Sequence, residues 1–188
     1  MEAFLISTGV VAIAEIGDKT QLLALLLAAR FRRPVPIVLG ILCATLLNHA
    51  AAATLGVLLA RWLSGETFQL IVGLAFLAMA AWALIPDKAD EGATGGRGAG
   101  GVFLTTLVAF FLVEIGDKTQ IATTLLAARF EMVWAVTAGT TLGMMLANAP
   151  VVFLGDALLR RVSLKWVRIA AAAIFAVIGA WIILNMLL

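Results

Sequence analysis

Apolar and polar positions divide the chain into six long apolar stretches, at residues 4–27, 35–59, 68–85, 102–128, 133–158 and 167–187. Each is close to the ~20 residues an α-helix needs to cross a bilayer. Pro34 and Pro36 mark the start of the second stretch and Pro86 ends the third. Pro150 lies deep in the fifth and predicts a kink there. The longest interruption, at 86–101, is acidic and then Gly-rich, and reads as a flexible linker. The pattern predicts an all-α polytopic membrane protein of one integral domain. A three-helix repeat occupies 1–85, a linker 86–101, and a second three-helix repeat 102–188.

The polar interruptions inside these stretches are not scattered. Glu15-Ile16-Gly17-Asp18-Lys19-Thr20-Gln21 recurs letter for letter as Glu114-Ile115-Gly116-Asp117-Lys118-Thr119-Gln120, and the likeness runs on to Arg30-Phe31 and Arg129-Phe130. Carboxylates are costly in hydrocarbon and mark function there by default, so the duplicated acids are the candidate site. On a continuous helix, positions three apart share a face, which groups Glu15, Asp18 and Gln21, and likewise Glu114, Asp117 and Gln120. Lys19 and Lys118 follow the glutamates by four residues and read as their charge balance. Gly17 and Gly116 read first as close-packing positions. A local break that exposes backbone carbonyls is the alternative. Thr20 and Thr119 either ligate a cation or bond the carbonyl of the preceding turn.

Composition narrows the classes. The chain is 63% hydrophobic, with a mean hydropathy of +1.11, more than a soluble core can use. Net charge is only +2 and no basic block stands out, so nucleic acid is not an expected partner. The Gly-rich tract lacks the Gly-Lys-Ser/Thr ending of a phosphate loop, and no other nucleotide motif occurs, which argues against a nucleotide-driven pump. Cys43 is the single cysteine, excluding an internal disulfide or a multi-thiolate metal site, and reads as a packing residue. Met1-Glu2-Ala3 lacks a positive n-region and a clear cleavage site, so the start reads as the first helix.

Loop charges set the expected orientation. With six spans, one side receives Arg30, Arg32, Arg33, Lys88, Arg97, Arg160, Arg161, Lys165 and Arg168, and the other only Arg61 and Arg129. The first side is then cytoplasmic and both termini are extracytoplasmic. Three spans per half give the halves opposite orientations. That is the inverted-repeat plan of secondary transporters, with the site near the midplane.

Apposed motif faces would present four carboxylates and two amides, all hard oxygen donors suited to Mg²⁺, Ca²⁺ or Mn²⁺. Four carboxylates less two lysines leave a charge that one divalent cation offsets. Without the cation, crowded carboxylates take up protons, and this competition is the physical basis of antiport. Asn48 and Asn148, near the middle of the second and fifth stretches, are further amide donors. They fall one residue out of register with the motif spacing, which Gly40 and Gly139 keep, as do Gly56 and Gly155. His49 reads as a hydrogen-bonded helix contact, or alternatively as a proton relay. Asp156 and Arg160 read as an i,i+4 pair.

Two copies of Glu-φ-Gly-Asp-Lys/Arg-Ser/Thr, one per half, resemble the signature of the Gdt family of membrane cation transporters. The resemblance spans essentially the whole chain and implies a Mn²⁺ or Ca²⁺ transporter exchanging metal for protons. It implies a metal-site role for Glu15, Asp18, Glu114 and Asp117. It further implies a bacterial manganese exporter of the inner membrane, not an enzyme, with the metal as cargo and no cofactor. A passive cation channel is the rival, separated by proton coupling. An intramembrane aspartyl protease fits poorly, because the chain has no tyrosine and its two aspartates sit in identical motifs.

Overall fold

The computed structural model describes residues 1–63, 65–86, 101–155 and 163–187, and their regular structure is helical throughout. The helices are α1 (Glu2–Ala14), α2 (Lys19–Phe31), α3 (Pro34–Trp62), α4 (Glu66–Ala83), α5 (Gly101–Glu114), α6 (Lys118–Phe130), α7 (Val133–Leu154) and α8 (Leu164–Leu187). Among them α3, α4, α7 and α8 are long and apolar enough to cross a bilayer, while α1 and α5 are shorter apolar helices. The first and fourth apolar stretches, expected as single helices, are each split in two, α1 with α2 and α5 with α6. Almost all of the expected linker and the Asp156–Arg160 pair lie outside the described residues.

Local chemistry sets the ends. Pro34 opens α3, where a missing N–H is no loss. Pro150 is carried inside α7, which continues to Leu154. Arg32 and Glu131 terminate α2 and α6 in the left-handed conformation, each at φ 53°. Their N–H groups bond the carbonyls of Ala28 and Ala127, which closes the last turn. These two positions hold the same backbone geometry with opposite charges.

The two repeats interleave. α1 packs on α7, α5 on α3, α6 on α3 and α2 on α7, while α4 packs against α8. Each broken pair therefore leans on the long helix of the other repeat, and α2 touches its own α3 only lightly. Small residues permit the approach: Gly40 faces the Phe103 carbonyl of α5, and Gly139 faces the Phe4 carbonyl of α1.

Burial runs inside out relative to a soluble protein. Leu47, Leu55, Leu112, Leu146 and Val177 are exposed, whereas Glu15, Asp18, Glu114, Asp117 and His49 are buried. Along α3, Ile37, Ile41 and Ala44 belong to one apolar cluster and Ala53, Val57 and Ala60 to another. Thr45, Asn48 and His49 lie between them. The polar residues thus form a layer with apolar packing on both sides, which positions the site.

Candidate functional site

The site is built on the two breaks. Gly17 has φ +79° and Gly116 φ +76°, a region that other residues enter only at a cost. The glycines therefore make the break; the close-packing reading is corrected at Gly116, where a Cβ would meet nothing within 4 Å, and holds beside the turn at Gly17, which packs against Leu164. Gln21 and Gln120, expected as oxygen donors to a cation, instead place those oxygens on the bends. Each accepts the N–H of its own Gly17 or Gly116 at 2.7 Å. Gln21 also donates to the Ala147 carbonyl at 2.8 Å. The expected single helical face for Glu15, Asp18 and Gln21 does not exist, because the chain leaves the helix between them. Asp18 and Asp117 become the extended N-cap residues of α2 and α6, where the positive end of a helix favours a carboxylate.

The break brings carboxylates of both repeats together. Ligand oxygens of Glu15, Asp18 and Asp117 all lie within 4.8 Å of one another, and all three residues are buried. Lys19 Nζ is 3.3 Å from Asp117 Oδ1, so its ion pair crosses between repeats instead of joining Glu15 one turn away. Lys118 donates to the Ile85 carbonyl at 3.0 Å and lies 5.8 Å from the centre of the Trp82 ring. Thr20 and Thr119 bond carboxylates and not the preceding carbonyls: Thr20 donates to Glu15 Oε2, and Thr119 to Asp117 Oδ2 at 3.0 Å.

The asparagines act across the repeats. Asn48 Nδ2 donates to Glu114 Oε2 at 3.0 Å, and Asn148 Nδ2 lies 3.3 Å from Glu15 Oε2. Each thus holds the glutamate of the other half, so the slip in register does not separate their roles. Thr45, which the sequence reading passed over, donates to Glu114 Oε1 at 2.7 Å. Its signal was a hydroxyl one turn before Asn48 in an apolar run. Glu114 therefore has both oxygens engaged and is not a member of the three-carboxylate group. Glu15 differs: its Oε1, like Asn148 Oδ1, is buried with no hydrogen-bond partner among the described residues. The same is true of both ring nitrogens of His49, so its expected hydrogen-bonded helix contact is not found.

A cavity of about 130 Å³ reaches this centre from the end that carries Pro86 and Arg168. Gly17, Asp18, Lys118 and Leu164 are among its lining residues.

The family model described as "Divalent cation/proton antiporter GDT1" matches residues 3–91 and 102–188. The chain belongs to the GDT1 family. This GDT1 chain is 49% identical over 178 residues to a protein of Vibrio cholerae described as a candidate manganese exporter, covering 93% of this chain and 87% of that one. A GDT1-like protein of Synechocystis is 28% identical, with 96% and 98% covered. A GDT1-like protein of rice, Oryza sativa subsp. indica, is 27% identical, with 93% and 71% covered. No solved structure gives a significant match.

Proposed function

We propose that this GDT1 protein exports Mn²⁺ from the cytoplasm of a bacterium across its inner membrane, in exchange for protons. The observation that carries the reading is the buried group of Glu15, Asp18 and Asp117, drawn from both repeats. Three carboxylates so close outnumber the two lysines of the duplicated motif, and the excess negative charge must be offset by a divalent cation or by protons. Metal entry then displaces protons and proton entry displaces metal. Ca²⁺ fits the same hard donors and is a second substrate. The Vibrio cholerae relative supports manganese as the main cargo.

Six crossings follow if α1 with α2, and α5 with α6, each form one broken span. Broken helices are how transporters bring helix ends to a midplane ion site. The inside-positive charge count supports cytoplasmic placement of the end bearing Arg32, Pro86 and Arg168, with both termini outside. At the two matching left-handed caps only the first carries a basic residue, Arg32, in keeping with the Lys/Arg bias between the two faces. Trp62, Trp134 and Trp166, all largely exposed, stand near helix ends where aromatic residues meet the headgroups.

The cavity at Asp18 then opens towards the cytoplasm. In this state Glu15, Asp18 and Asp117 are the cation ligands and Asn148 adds its free oxygen. Glu114 is held in reserve by Thr45 and Asn48. Alternating access exchanges the two halves, so that Glu114 and Asn48 serve the outward state. Gln21 and Gln120 brace the bends, and Lys19 limits the charge on Asp117.

Truncating Asn148 to Ala leaves Glu15 without its cross-repeat donor and removes a ligand oxygen. It is expected to weaken Mn²⁺ binding about 10-fold or more. Asn48→Ala is expected to spare binding in the inward state and to slow turnover. Titration of Mn²⁺ binding beside initial transport rates separates the two effects. The function itself is tested in proteoliposomes carrying a pH-sensitive dye. Mn²⁺ uptake accompanied by opposite proton movement is expected. Metal flux without proton movement would make the protein a channel.

A further inference from the structure

We propose that Met144 is the residue by which this site distinguishes transition-metal ions from Ca²⁺ and Mg²⁺, through a thioether ligand turned towards the cation on Glu15. The inference rests on the transport reading above.

Met144 occupies the position on α7 that Thr45 occupies on α3, at the spacing of the duplicated motif. Thr45 gives Glu114 a hydroxyl donor. Met144 gives Glu15 none, and its sulfur instead accepts from Asn148 Nδ2 at 2.9 Å. That same nitrogen lies 3.3 Å from Glu15 Oε2. Met144 is fully buried, so its sulfur sits in the polar layer, one amide group away from a metal-site carboxylate. By the same spacing Asn148 stands where His49 does, so thioether for hydroxyl is one of the chemical differences between the two half-sites.

The surroundings are arranged for the sulfur to engage. Asn148 Oδ1 and Glu15 Oε1 are both buried without hydrogen-bond partners among the described residues. A cation arriving at Glu15 repels the amide hydrogens of Asn148 and attracts its free oxygen. Asn148 Nδ2 also donates to the Met144 carbonyl at 3.1 Å, so a half-turn of the amide gives up that bond together with the one to the Met144 sulfur, and the new contact between its oxygen and the cation offsets the loss. The unbranched side chain of methionine, with three rotatable bonds, can then turn its sulfur to the same cation. Thioether sulfur is a soft, polarizable donor. It adds little to the binding of closed-shell Ca²⁺ or Mg²⁺, more to Mn²⁺ and most to Cd²⁺.

The test uses the full chain with Met144→Leu, which keeps volume and apolarity without sulfur, and Met144→Thr, which copies the first repeat. Apparent affinities for Mn²⁺ and Ca²⁺ are measured in proteoliposomes, with Cd²⁺ as a competitor. The Mn²⁺ to Ca²⁺ affinity ratio is expected to fall about tenfold in both variants, chiefly through Mn²⁺. Inhibition by Cd²⁺ is expected to weaken, while Ca²⁺-driven proton movement continues. Equilibrium binding of the three ions to detergent-solubilised protein gives the same ratio if a variant binds but does not turn over. A wild-type ratio together with wild-type Cd²⁺ competition in Met144→Leu would overturn the proposal. A wild-type protein that moves no divalent ion would instead overturn the transport reading on which it rests.

Discussion

Glu15→Gln is expected to weaken Mn²⁺ binding by at least about 100-fold, above the range for residues that only support a ligand, and to abolish metal-driven proton movement. Two effects combine. The substitution removes one of the three carboxylates gathered within 4.8 Å, and with it the negative charge that attracts a divalent ion. It also leaves an amide among groups arranged for an acceptor. Thr20 donates to Glu15 Oε2 and Asn148 Nδ2 lies beside the same oxygen, so the glutamine oxygen is drawn to that position. Its NH₂ then points where the unpartnered Oε1 now stands, towards the cation. The metal-free variant is expected to be at least as heat-stable as wild type, because a crowded carboxylate has gone. A thermal melt therefore separates loss of the site from loss of the fold. Glu114→Gln is expected to behave differently. Thr45 and Asn48 already occupy both oxygens of Glu114, so inward-state binding falls less while turnover stops. Equal binding losses in the two variants would contradict the division of roles drawn here.

The second large effect is expected at Gly116, where backbone conformation can be tested apart from packing. Its φ is +76°, and a Cβ added there would meet nothing within 4 Å. The penalty for a side chain is then conformational. It amounts to roughly 1–2 kcal/mol for Ala in the left-handed region and more for a β-branched residue. Gly116→Val is expected to straighten or misdirect the break, withdraw Asp117 from Glu15 and Asp18, and stop transport. Gly116→Ala should retain part of the activity. Gly116→Asn should retain the most, because Asn tolerates this conformation best. Transport rates ordered Gly, Asn, Ala, Val would show that the bend itself is required. A Val variant with full activity would show that the break is incidental. Gly17 is a poorer test, since a Cβ there also collides with Leu164.

Much of this was legible in the letters. Four of the apolar stretches match α3, α4, α7 and α8 to within about four residues, whereas the first and fourth each hold two helices; the duplicated heptad marks Glu15, Asp18 and Asp117, which the fold gathers, and Glu114, which it holds apart. The breaks were not legible, because Gly between two acids suits tight packing as well as a left-handed turn. Only the backbone angles separate these readings. The continuous-helix assumption then misassigned partners by one turn: it paired Lys19 with Glu15, whereas the bend carries Lys19 to Asp117 in the other repeat. The asparagines show a further limit. Linear register set Asn48 and Asn148 apart, but each reaches the opposite glutamate because the repeats interleave. Cross-repeat contacts of this kind depend on which helices neighbour one another, and one sequence does not encode that in any local pattern.

Metal and protons compete for the same buried carboxylates. Calorimetric titration of Mn²⁺ into the purified protein, in two buffers of equal pH and different ionisation enthalpy, measures that competition. Heats are expected to differ between the buffers, revealing proton release on binding, with both the binding and the release lost in Glu15→Gln. Mn²⁺ binding that releases no protons and survives Glu15→Gln would contradict it.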